Sequence, residues 1–105
     1  MNKVEDLLLR AKINQFISHF RLGENCFLYG CCYWFTSILS ARFHDHLCTL
    51  MYNPVDNHFA MQIEDVLYNV TGEISKDGYI PFEAFCYTEP LEAERIFHQC
   101  ILFDE

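Results

Sequence analysis

The chain has 105 residues, of which 51% are hydrophobic and 16% aromatic, and its 15 acidic and 7 basic side chains give a net charge of −8. This length fits a single small domain, and the apolar fraction is too high for a disordered chain. The negative charge disfavours direct nucleic-acid binding, because phosphates are repelled, but it allows a basic protein partner.

The chain shows no segment that would direct it to a membrane. The longest uncharged run, residues 25–41, is interrupted by Gly30 and is short for a span of about 20 apolar residues. Glu5 and Asp6 occupy the region where a secretory signal requires basic residues. We therefore expect a cytoplasmic protein, and in that reducing compartment its six cysteines are expected to be free thiols.

The first predicted element is an amphipathic helix over roughly residues 3–21, since apolar residues recur at helical spacing until Gly23. Asn2 and Glu5 have the spacing of a capping box at its start.

A second helix is expected to begin at Cys31 or Cys32 and to end near His44. Its sequence is apolar nearly all round, which predicts a central, buried helix with Trp34 in the core.

A strand at residues 47–52 is followed by a hairpin, because residues 58–63 and 66–71 each alternate in polarity. Pairing Ile63 with Val66 across a two-residue connection places Asn69 opposite Ala60 and diagonal to His58. The neighbouring register, with Gln62 opposite Asp65, also keeps His58 and Asn69 on one face of the sheet.

The remaining residues predict a turn at Asp77-Gly78, an extended stretch over residues 79–85 and a last helix of about ten residues that Thr88 caps. The order of elements indicates a single α+β domain over residues 1–105, with an N-terminal helix, a central helix, a small antiparallel sheet and a C-terminal helix.

Three of these positions have the chemistry of a thiol nucleophile. A cysteine at a helix N-terminus gains thiolate character, and Cys32 lies at such a position. The thiolate needs a histidine to share its proton, and that histidine needs an amide or carboxylate to orient its ring. His58 and Asn69 supply these groups from one sheet face.

The segments GCCYWF at residues 30–35, NHF at 57–59 and LYNVTG at 67–72 resemble the papain-like cysteine peptidases, and in particular small phage and bacterial proteins of that type. The resemblance covers about residues 24–74. It implies Cys32 as nucleophile, His58 as general base and acid, and Asn69 as the residue that orients His58, in a minimal papain-like core without an added cleft domain.

The resemblance leaves the oxyanion donor open. Papain has a glutamine six residues before its nucleophile, whereas that position is Cys26 here and the nearest side-chain amide is Asn25. We take Asn25 as the candidate. Asp56 and Asp65 are alternatives to Asn69 as orienting groups, but both are expected to be solvated.

A zinc site is an alternative use of the cysteines and histidines near the middle of the chain, which are Cys26, Cys31, Cys32, His44, His46, Cys48 and His58. These residues lack the paired CxxC or HxxxH spacing of structural zinc sites. We therefore expect no metal and no cofactor. His19 and His98 are expected at the surface, and Cys86 and Cys100 as small core residues.

Two functions remain open. The first is a small intracellular thiol hydrolase, such as a peptidase, isopeptidase, deamidase or acyl transferase, that acts on a protein or peptide through a Cys32 acyl-enzyme. The second is an acidic inhibitor or binding protein, of the kind phages encode, that blocks a host factor such as a nucleic-acid-binding defence protein, with or without catalysis. A single face formed by acidic residues would favour the inhibitor. The residues considered for it, all in the second half of the chain, are Glu64, Asp65, Glu73, Asp77, Glu83, Glu89, Glu92, Glu94, Asp104 and Glu105.

Overall fold

The computed structural model describes residues 2–20 and 32–101. The helices are α1 (Lys3–Ser18), α2 (Cys32–Arg42), α3 (Phe82–Thr88) and α4 (Pro90–Ile96), and a π-helical turn (Phe97–Ile101) follows α4. The strands are β1 (Cys48–Asn53), β2 (His58–Ile63), β3 (Val66–Asn69), β4 (Gly72–Ile74) and β5 (Ile80–Pro81). They form one antiparallel sheet in the order β4-β3-β2-β1-β5, so the predicted α+β architecture is confirmed.

Helix α1 begins as its sequence predicts. The side-chain oxygen of Asn2 accepts a hydrogen bond from the backbone N–H of Glu5 at 2.8 Å, which satisfies one of the unpaired donors of the first turn. One face of the helix is buried, through Leu9, Ile13 and Ile17. The helix ends at Ser18.

Helix α2 packs on the sheet along one side only. Its buried residues are Phe35, Thr36 and Leu39. Trp34 and Ile38 on the other side are 41% and 39% exposed, so the prediction of a helix buried all round, with Trp34 in the core, is wrong. The apolar composition predicted more burial than the helix has, because the sheet covers only one of its faces.

The hairpin has the first of the two predicted registers. Ile63 pairs with Val66 and Met61 with Tyr68, and Glu64 and Asp65 form the connection. Strand β3 ends at Asn69, and the chain turns at once into β4, which the sequence analysis did not predict. Gly72, with φ of +112°, allows this reversal.

The C-terminal part differs from prediction. Within residues 79–85 only the short β5 is a strand, and α3 begins directly after Pro81. Helix forms there because Phe82, Phe85 and Cys86 recur at helical spacing and pack against a cluster around Tyr52 and Phe59.

Thr88 closes α3 instead of capping the next helix. Its hydroxyl lies 3.3 Å from the carbonyl oxygens of Ala84 and Phe85, one turn back. Helix α4 begins two residues later at Pro90, with Glu89 at its cap position.

Residues 75–79, which we call the crossover segment, join the two opposite edges of the sheet. The edges of a flat five-stranded sheet lie about 19 Å apart, and this segment reaches roughly that far only when fully extended. It is not extended, because the N–H of Tyr79 donates to the carbonyl of Lys76 at 3.0 Å. We infer that the sheet curves around the crossover segment.

The core lies on both faces of this curved sheet. On one face, α1 and α2 pack against Met61, Ile63, Tyr68 and Val70, and α3 and α4 pack against Tyr52 and Phe59. On the other face, Met51, Ala60 and Leu67 form a smaller cluster, against which Ile74 and Tyr79 pack. The crossover segment therefore covers the face that the helices leave open.

Candidate functional site

Helix α2 runs along β2 in the same direction. Near its start, the ring of Tyr33 lies 5.5 Å from that of Phe59, the second residue of β2. Near its end, Leu39 and Phe43 join the cluster that contains Ile63, the last residue of β2. Cys32, the first residue of α2, therefore lies at the end of the sheet where β2 begins.

His58 and Asn69 lie at this same end of the sheet. His58 is the first residue of β2 and Asn69 the last of the antiparallel β3, and both are half-buried. Extending the observed register pairs Asn69 with Ala60, diagonal to His58. The prediction that His58 and Asn69 share one sheet face is confirmed by this register.

Cys32 approaches from the other side. It packs with Tyr33 against the cluster of Tyr52 and Phe59, which is on the helix-covered face. Since side chains alternate along a strand, His58 projects to the opposite face from Phe59. A Cys32–His58 pair therefore has to form around the end of the sheet, not across one of its faces.

The side chain of Asn69 is engaged locally. Its oxygen accepts hydrogen bonds from the N–H of Thr71 at 2.8 Å and from the Thr71 hydroxyl at 2.5 Å. These two donors use both lone pairs of the amide oxygen, so the Asn69 amide nitrogen is the atom left for another partner.

Tyr79 is a site neighbour that the sequence analysis missed. Its half-buried side chain packs on the cluster of Met51, Ala60 and Leu67, the face to which His58 and Asn69 belong. Burial is the main cause that raises the pKa of Tyr79, and the negative charges of Asp56 and Cys32 raise it further. The sequence offered no signal for Tyr79, because its position depends on the path of the crossover segment.

The alternative orienting carboxylates lie apart from one another. Asp56 is exposed and accepts a hydrogen bond at 3.1 Å from the amide of Asn53, the residue that pairs with His58. Asp65 is exposed in the β2–β3 connection, at the far end of the sheet. The proposed oxyanion donor Asn25, like Cys26 and Cys31, lies outside the described residues.

The described ranges, 2–20 and 32–101, contain no cluster of three His, Cys, Asp or Glu residues that could hold a metal ion. Two of the histidines considered for zinc lie beside carboxylates: His44 Nδ1 is 3.2 Å from Asp45 and His46 Nδ1 is 3.5 Å from Glu64. Cys48 and Cys86 carry free thiols, and burial raises the pKa of Cys48.

Other predictions on single residues have mixed outcomes. His19 and His98 are exposed, as expected. Cys86 is half-buried against the cluster of Tyr52 and Phe59, while the side chain of Cys100 lies outside the described part of the structure.

Within the part of the chain that the structure describes, no helix combines the length and apolar character needed to cross a membrane. Comparison of the chain with protein-family models, with curated proteins and with solved structures finds no match.

Proposed function

We propose that this protein is a small cytoplasmic thiol hydrolase of papain-like type that acts on a protein or peptide through a Cys32 acyl-enzyme. The observation that carries the proposal is the position of Cys32, His58 and Asn69 at one end of the sheet. Cys32 begins an 11-residue helix, and the positive end of the helix dipole favours the thiolate.

The chemistry follows from these groups. His58 takes the proton of the Cys32 thiol, and the sulfur bonds to the carbonyl carbon of an amide or ester. The carbon–nitrogen or carbon–oxygen bond then breaks as His58 returns that proton to the leaving atom. Water hydrolyses the resulting thioester with His58 as base, which restores the thiol. A second acceptor in place of water gives acyl transfer.

The acidic inhibitor is the less favoured function. The described acidic residues considered for that face lie in three separate groups, with the exposed Asp77 apart from them in the crossover segment. Glu64 and Asp65 are at the sheet end far from His58, and Glu73 is on the edge strand β4, where Arg10 binds it. A third group lies on and between α3 and α4, beyond the opposite edge: Glu83, Glu89, Glu92 and Glu94. This distribution resembles a solvated surface more than one docking face.

The test is alkylation of the intact protein at pH 6, followed by mapping of the modified cysteines by mass spectrometry. An ordinary thiol, with a pKa of about 8.5, is almost fully protonated at this pH and reacts slowly. We expect Cys32 to react at least about tenfold faster than Cys86. His58→Ala should abolish this difference.

His44→Ala is the matched control, because it removes an exposed imidazole that lies just beyond the end of α2 opposite to Cys32. It should leave the Cys32 rate unchanged. Equal, slow labelling of Cys32 and Cys86 in the wild type would contradict the hydrolase. An acetyl adduct on Cys32 after incubation with p-nitrophenyl acetate, lost in His58→Ala, would support the acyl-enzyme directly.

A further inference from the structure

We propose that Tyr79 is a positioning residue for His58, whose ring forms a wall that holds the imidazole towards the end of the sheet where Cys32 lies. This role rests on the proposed function, since it concerns the same Cys32–His58 pair. With this role of Tyr79, the crossover segment would contribute to the site besides connecting two strands.

The packing of Tyr79 places it on the face of the sheet to which His58 belongs. Its side chain contacts the cluster of Met51, Ala60 and Leu67. Ala60 is the next residue after His58 on the same face of β2, and its small side chain leaves room above the sheet for an aromatic ring. A ring seated there limits the directions open to the His58 imidazole on that face.

The crossover segment is fixed at this position by its contact with β1. Gly78 has φ of +83°, and a Cβ at this residue would lie 3.1 Å from the amide nitrogen of Asn53. Asn53 is buried and is the residue of β1 that pairs with His58. Tyr79 therefore follows a glycine that is held against the direct neighbour of His58.

The electrostatic surroundings agree with this placement. The charges of Asp56 and Cys32 both act on the Tyr79 phenol, and together with burial they keep it protonated. The ring is thus a neutral wall, between the carboxylate that precedes β2 and the thiol that begins α2.

The Asn69 oxygen is already bonded to Thr71. Because Thr71 occupies both lone pairs of the Asn69 oxygen, that oxygen is poorly placed to accept a hydrogen bond from the imidazole N–H of His58, as the orienting amide of a papain-like triad does. Tyr79 is packed on the same face, where its ring can limit the directions open to the imidazole.

The test uses full-length protein and the variants Tyr79→Ala, Tyr79→Leu and Tyr79→Phe, with Tyr87→Ala as control because Tyr87 is 82% exposed. Two quantities are measured: the Cys32 alkylation rate between pH 5 and pH 9, and the His58 imidazole C–H signals in NMR spectra, assigned by their loss in His58→Ala. If Tyr79 had only a structural role, the His58 signals would stay where they are in the wild type.

We expect Tyr79→Ala to lower the Cys32 rate at pH 6 by about tenfold, since small misplacements of a catalytic group carry losses of this size or more. It should also move the His58 signals. Tyr79→Phe should keep the wild-type rate and signals, because the ring supplies the wall. If Tyr79→Ala does not fold, Tyr79→Leu replaces it, with the same expected changes.

Wild-type values of both quantities in Tyr79→Ala or Tyr79→Leu would overturn the positioning role, as would a rate in Tyr79→Phe as low as that in Tyr79→Ala. If Cys32 in the wild type reacts no faster than Cys86, the proposed hydrolase fails. In that case the role of Tyr79 is tested by the NMR signals of His58 only. A shift of these signals in Tyr79→Ala would support the role, and unchanged signals would contradict it.

Discussion

The amide oxygen of Asn69 accepts two hydrogen bonds from one residue, Thr71, from its backbone N–H and from its hydroxyl. A backbone N–H can only face an acceptor, so this contact also fixes which end of the amide is oxygen. Asn69 thereby stabilises the tight passage from β3 to β4, independently of any part in catalysis.

Thr71→Val tests this arrangement, because valine keeps the branched shape and removes only the hydroxyl donor. We expect the free energy of unfolding, measured by urea denaturation, to fall by about 1 kcal/mol. Asn69→Ala should cost more, since it removes both bonds. The Cys32 alkylation rate should not fall in Thr71→Val, because the variant frees a lone pair on Asn69. A slower rate would mean that the Thr71 hydroxyl itself serves the site.

Tyr68→Phe should stabilise the protein. The Tyr68 side chain is fully buried, and its hydroxyl has no hydrogen-bond partner among the described residues. Removing an unsatisfied buried hydroxyl is worth about 1 kcal/mol, which thermal unfolding would show as a higher Tm. The exposed Tyr87→Phe is the control and should leave Tm unchanged. A lower Tm in Tyr68→Phe would mean that the hydroxyl has a partner in solution.

Ionisation of Tyr68 should lower the free energy of unfolding at alkaline pH. Burial is the main cause that raises the pKa of Tyr68 from 10.0 to about 12, and the charge of Glu73 adds to it. The unfolded chain ionises first as the pH rises above 10.0, so Tyr68 favours unfolding increasingly from there to about pH 12. Urea denaturation at pH 9 and pH 11 should show a smaller decrease in Tyr68→Phe than in the wild type. Equal decreases would contradict the raised pKa.

Glu73 predicts a pH effect on the acid side. Its hydrogen bond from Arg10 is the main cause that lowers its pKa below 4.5, and a bond from Asn14 also lowers it. The stabilisation is present above pH 4.5 and is lost as the pH falls through the lower folded pKa. Between pH 6 and pH 3, Glu73→Gln should therefore lose less stability than the wild type. Glu83→Gln, on the exposed surface of α3, should follow the wild type. A Glu73→Gln protein that loses as much as the wild type would contradict the pairing.

Leu39→Ala should weaken the contact between α2 and the sheet. Leu39 is fully buried, and truncation of a buried leucine costs about 2–5 kcal/mol. The neighbouring Ile38 is 39% exposed, so Ile38→Ala is the matched control and should cost clearly less. Urea midpoints of the two variants give the comparison. Equal losses would mean that α2 is oriented differently in solution.

The sequence was informative where a local pattern decides the structure. Alternating polarity and a two-residue connection were enough to predict the β2–β3 register, which aligns His58 with Asn69. The same reasoning failed after Gly78, where the apolar residues Phe82 and Phe85 suggested a strand but form one side of a helix. Whether these residues follow the alternating pattern of a strand or the pattern of a helix depends on their packing against the cluster around Tyr52, which is distant in sequence.

The candidate site, like the fold, could be predicted where local patterns decide it and not where packing between distant residues does. Chemistry and spacing were sufficient to predict that His58 and Asn69 share a face. It could not be predicted that Cys32 packs on the opposite face of the sheet from His58, because this depends on which face α2 covers. Nor could the position of Tyr79, which follows from the curvature of the sheet and from the contact between Gly78 and Asn53.

The two edge strands are very short, with three residues in β4 and two in β5. Exposed edges of this length offer few backbone groups for a strand from another chain, which limits both aggregation and the addition of an extended peptide to the sheet. If the proposed function is correct, a peptide at Cys32 has to be recognised through its side chains and its scissile carbonyl, not by β-strand pairing. For the proposed hydrolase, the short edges favour a folded protein surface or a flexible tail as substrate over a long extended segment.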